Sequence, residues 1–83
     1  MSEILKLKTE LQSRKFARME LEGPIQKKLE SLKKALPGAF FLHNISEIDF
    51  HLVAGLALQL RDLKDKWDMI TWEITKIEEE LRG

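Results

Sequence analysis

The stretch "VAGLALQLRDLKDKWDMITWEITKIEEEL", residues 53–81, decides the fold. Val53, Leu56, Leu60, Leu63, Trp67, Ile70, Ile74, Ile77 and Leu81 follow one another at alternating spacings of three and four residues. That spacing returns side chains to the same side of an α-helix. Four heptads in succession, with Val53, Leu60, Trp67, Ile74 and Leu81 at position a, make a coiled-coil seam. From Ser46 to Leu81 only Gly55 is a poor helix former, and a single glycine is tolerated inside so long an apolar pattern. The reading is a helix over about residues 46–82, a rod of roughly 54 Å at about 1.5 Å per residue.

Outward from that rod, "NISEID" places Ser46 three residues before Asp49, which reads as an imperfect capping box with Ile45 and Phe50 as its hydrophobic staple. "LPGAFFLHN" before it is a turn, because Pro37 disfavours helix at Leu36 and Gly38 supplies a turn residue. The first arm carries Ile4, Leu7, Leu11 and Leu21 at helical spacing, then "EGPIQKKL". Gly23 weakens a helix and Pro24 favours the first position of a new one, so the arm is read as broken there. The expected helices are about 2–22, 24–35 and 46–82, the last two joined through the nine-residue turn 36–44. The row Ile25, Leu29, Leu32 and Leu36 is the apolar side of the second.

A long helix facing an arm of similar length reads as an antiparallel helical hairpin, all-α and coiled-coil-like, forming a single domain over residues 1–83. Folding the arms back around residue 41 sets Leu29 beside Val53, Leu21 near Arg61 and Leu11 near Thr71. Where leucines would continue the first seam stand Arg14 and Arg18, opposite Asp62, Asp65 and Asp68 on this register. Arginine stems can lie on a seam and reach carboxylates, which sets register more than stability.

Trp72 falls at position f, away from the seam, with Leu58 at f and Met69 at c on the same outer side. Phe16 and Met19 lie outside the seam of the first arm. One neighbouring helix covers a stripe narrower than this, so these five residues are expected to meet a second copy of the chain, as a homodimer or higher homo-oligomer forming a four-helix-type bundle. Another helical protein is the alternative occupant. At the tip, Phe40, Phe41 and Phe50 form either an end plug or a docking surface.

Composition agrees. The chain is 43% hydrophobic and 34% charged, too apolar for disorder driven by high net charge. With no cysteine, disulfides and thiolate metal sites are excluded, and a reducing cytoplasm is the expected setting. No run reaches the roughly 18 apolar residues of a membrane span, and "MSEILKLKTE" lacks a signal-peptide core. Net charge is zero, yet residues 1–36 hold nine Lys/Arg against five Asp/Glu, and residues 37–83 hold five against nine.

Chemistry-bearing constellations are scarce. Glu47 and His51, at i and i+4, are two ligands at most and do not make a metal site; His43 lies before the cap. Asp62, Asp65, Asp68 and Glu73 lack the Glu-x-x-His repeats of a carboxylate-bridged metal bundle. No catalytic residue, metal or cofactor is expected. The favoured function is a non-enzymatic assembly or adaptor module acting through self-association and protein–protein contacts. The alternative is a nucleic-acid-associated accessory or regulatory protein that uses Lys27, Lys28, Lys33 and Lys34 of the basic first arm.

Overall fold

A computed structural model describes residues 2–36, 46 and 48–83; Phe40, Phe41, His43, Ile45 and Glu47 lie outside the described residues. Two helices account for almost all of it: α1, Ser2–Ala35, and α2, Phe50–Arg82. They pack against each other as a helical hairpin. The chain is a rod of 64 × 18 × 17 Å with a radius of gyration of 18.7 Å, against about 12 Å for a compact globule of this length.

Contrary to the expected break, α1 runs through Gly23 and Pro24 as one helix. Pro24 has no N–H to give the carbonyl of Glu20, and such a residue inside a helix costs about 3 kcal/mol relative to alanine. Glu20, Gly23 and Pro24 are all exposed, so the lost bond falls on the solvated side, where water can serve the carbonyl. On the other side the seam never stops. Leu7, Leu11, Arg14, Arg18, Leu21, Ile25, Lys28, Leu32 and Ala35 keep the three-four spacing across the proline, and all but Arg14 are half-buried. Full burial of one large apolar side chain is worth roughly 1.5–3 kcal/mol, so even partial burial of Leu21, Ile25 and Leu32 offsets the proline. The opposite charges of the helix ends are also matched, with Glu3 in the first turn and Lys33 and Lys34 in the last.

The start of α2 also differs from expectation. Its N-cap is Asp49, not Ser46: the Asp49 backbone is extended (φ −84°, ψ 92°) and its side-chain oxygen accepts from the Leu52 N–H at 3.0 Å. Aspartate caps as well as serine does, and here it moves the staple positions to Ile48 and Val53, both half-buried. The helix ends at Gly83, whose φ of +83° is left-handed backbone suited to glycine and whose N–H donates to the Glu80 carbonyl at 3.2 Å.

Every residue of the seam read from the sequence, Val53 to Leu81, is buried or half-buried. Among the described residues, however, only Leu56, Ile74 and Ile77 are buried, and none of them completely. Two helices share a single line of contact, and each seam residue is sheltered from one side only.

Candidate interaction surface

The register between the arms is set by three pairings. Arg14 is ion-paired with Glu73. Arg18 places its guanidinium 5.3 Å from the centre of the Trp67 ring and donates to the Thr71 hydroxyl at 3.2 Å. Further along, Ile25 and Leu29 share a groove with Leu60 and Trp67. Thus Leu29 lines a groove with Leu60 instead of facing Val53, Arg14 pairs with Glu73 where the sequence register had Asp68, and Arg18 reaches Thr71, which that register had put beside Leu11. By the Arg14–Glu73 pair the slip is about one and a half helical turns, and part of it comes from α2 starting four residues later than expected.

Because of that slip, neither arginine meets the aspartates proposed for it. Asp68 instead accepts from Lys64 one turn earlier at 2.7 Å, and Asp62 lies 3.5 Å from Arg61 on the same helix. The hydrogen bond to Asp68, reinforced by its charge and by that of Asp65, raises the Lys64 pKa above its ordinary 10.5. Arg18 fits its seam position because a planar guanidinium can lie flat on an indole, presenting an apolar face to the ring and its N–H groups to Thr71. The Thr71 carbonyl in turn accepts from the Thr75 hydroxyl at 3.0 Å. Trp67 is therefore a seam residue with a cation as its lid.

The groove beside this stack is an open trough of about 610 Å³. Its floor is Ile25, Leu29, Leu60 and Trp67; Glu22, Gln26, Lys64 and Asp68 form the rim. Sequence reasoning missed it, placing Leu29 in the apolar row facing the other arm. Leu29 is 46% exposed because Lys28 holds the seam position and Leu29 falls one residue past it, at the flank. The continuous three-four row through Arg14, Arg18 and Lys28 was the signal that would have found it.

Phe16, Met19, Leu58, Met69 and Trp72 are all exposed, as are Ile4, Leu5, Phe50 and Leu52. Trp72 does not share the groove. It lies by a shallow polar depression with Glu10, Arg14, Glu73 and Lys76, and the Lys76 ammonium sits 5.4 Å from its ring centre. The exposed apolar residues thus form several patches, divided by Arg61, Asp62 and Asp65, which are also exposed.

The four lysines of the suspected nucleic-acid patch are spread around α1. Lys27 and Lys34, one heptad apart, share a side, Lys33 is turned about 100° from Lys34, and Lys28 is half-buried on the seam. Among the described residues no three His, Cys, Asp or Glu side chains gather as a metal site. No described helix is long and apolar enough to cross a membrane. Fold and surface together define a class, the all-α helical hairpin with an apolar flank. Compared with known proteins, the chain matches no family model, no curated protein and no solved structure.

Proposed function

We propose that this chain is a non-enzymatic assembly or adaptor module of the cytoplasm, acting through self-association and protein–protein contacts. One observation carries the reading. The chain has 6848 Å² of accessible surface, whereas a compact monomer of 9.7 kDa has about 5,100 Å². The surplus of about 1,700 Å² per chain falls within what each partner of a tight homodimer hides, roughly 1,000–2,500 Å². Many of the exposed side chains are large and apolar, so covering them returns free energy that a lone hairpin forgoes.

Sedimentation equilibrium at concentrations from low to high micromolar tests this. A mass of twice 9.7 kDa or more supports the proposal, and a single 9.7 kDa species throughout rejects it. The nucleic-acid reading is weaker, because the basic residues of α1 face several directions and a groove-following patch needs them on one. A gel shift with duplex DNA or RNA that survives physiological salt would restore it.

A further inference from the structure

Taking the self-association reading as its basis, we infer that the occupant of the Ile25–Leu29–Leu60–Trp67 groove is a second copy of the chain, related by a two-fold axis running along the rod. In this arrangement α1 of each copy lies on α2 of the other, and both tips point to the same end.

The reason is the order of residues along the two flanks of the groove. On α1 the flank at heptad position e reads Lys8, Lys15, Glu22 and Leu29. On α2 it reads, in the opposite chain direction, Glu78, Thr71, Lys64 and Ala57. The observed register, with Arg14 against Glu73, puts Glu78 within about one residue of the height of Lys8, Lys64 of that of Glu22, and Ala57 of that of Leu29. A lengthwise two-fold preserves height and exchanges the helices. It therefore sets lysine on glutamate, glutamate on lysine and leucine on alanine between copies, the flank complementarity that selects partners in helical bundles.

A two-fold running across the rod reverses height and places α1 on α1. It would bring Lys8 to the level of Leu29, burying a cation against the apolar floor, and would set basic α1 against basic α1.

Two measurements decide it. The chain has no cysteine, so Arg82→Cys gives one spin-label site per copy, at an exposed position outside the groove. A lengthwise axis predicts a label separation of about 30 Å or less, a few helix spacings of about 8–10 Å each. A crosswise axis would part the labels by a distance approaching the 64 Å length of the rod and would overturn the arrangement. In sedimentation, Leu29→Glu should convert the dimer to a folded 9.7 kDa monomer, with circular dichroism checking helicity. A Leu29→Glu protein that stays dimeric removes the groove from the interface while leaving self-association standing, and a wild-type chain that is monomeric removes both. If Leu29→Glu does not fold, the label separation alone decides.

Discussion

Ile74 and Trp72 are two residues apart on α2 and lie in opposite environments, 4% and 62% exposed. Ile74→Ala removes buried methylenes and leaves a gap in a seam with few fully buried neighbours, at a cost of about 2–4 kcal/mol in urea unfolding. Trp72→Ala should cost under about 1 kcal/mol, since little of its ring leaves water on folding. Equal losses would mean that the indole is covered in solution. Arg18→Glu takes the cation off Trp67, sets a carboxylate against the negative face of the ring and breaks the bond to Thr71. The expected loss is about 1–2 kcal/mol, and an unchanged urea midpoint at low salt would mean that the guanidinium is solvated. The exposed Lys64–Asp68 pair follows a different rule. Its lysine pKa is raised, so its stabilisation is present at neutral pH, is constant there, and fades only as pH climbs through the raised value above 10.5. Melting curves of wild type and Lys64→Met should differ by a constant amount across neutral pH and converge only in strong alkali.

At the level of the element, α1 keeps its helix despite two residues that oppose one. A Cβ added at Gly23 would meet nothing within 4 Å, and the φ of Gly23 is negative. Gly23→Ala should therefore stabilise by up to about 1 kcal/mol, and Pro24→Ala, which returns a donor to the Glu20 carbonyl, by about 2–3 kcal/mol. Thermal melting checks both, and no gain from either would mean that the helix is interrupted there in solution. The long helix of residues 53–81 was legible because its apolar positions repeat without exception. The continuity of α1 was not, because Arg14, Arg18 and Lys28 occupy three seam positions in polar form. A pattern of leucines alone breaks up there, and local proline chemistry then looks decisive.

For the molecule as a whole, the ratio of surface to core governs behaviour. A chain with three buried side chains among its described residues has little stability in reserve as a monomer, so self-association should appear as mass action. The melting temperature should rise with protein concentration, by several degrees over a hundred-fold range, whereas a self-sufficient monomer would melt at one temperature throughout. The five outward residues Phe16, Met19, Leu58, Met69 and Trp72 were legible as exposed from heptad position alone. The groove at Leu29 and Leu60 was not, since it exists only where two helices run at a particular height to each other.

Residue order alone determined that this chain makes two long helices with an apolar seam, because periodicity and chain geometry act within one helix and need no partner. Only the tertiary structure decided the height at which the helices meet and what covers Trp67. Those depend on side chains far apart in sequence finding the arrangement that buries most and leaves fewest charges unmatched. A shift of about one and a half turns keeps every seam residue on the seam and still exchanges Asp65 and Asp68 for Trp67, Thr71 and Glu73 as the neighbours of the two arginines.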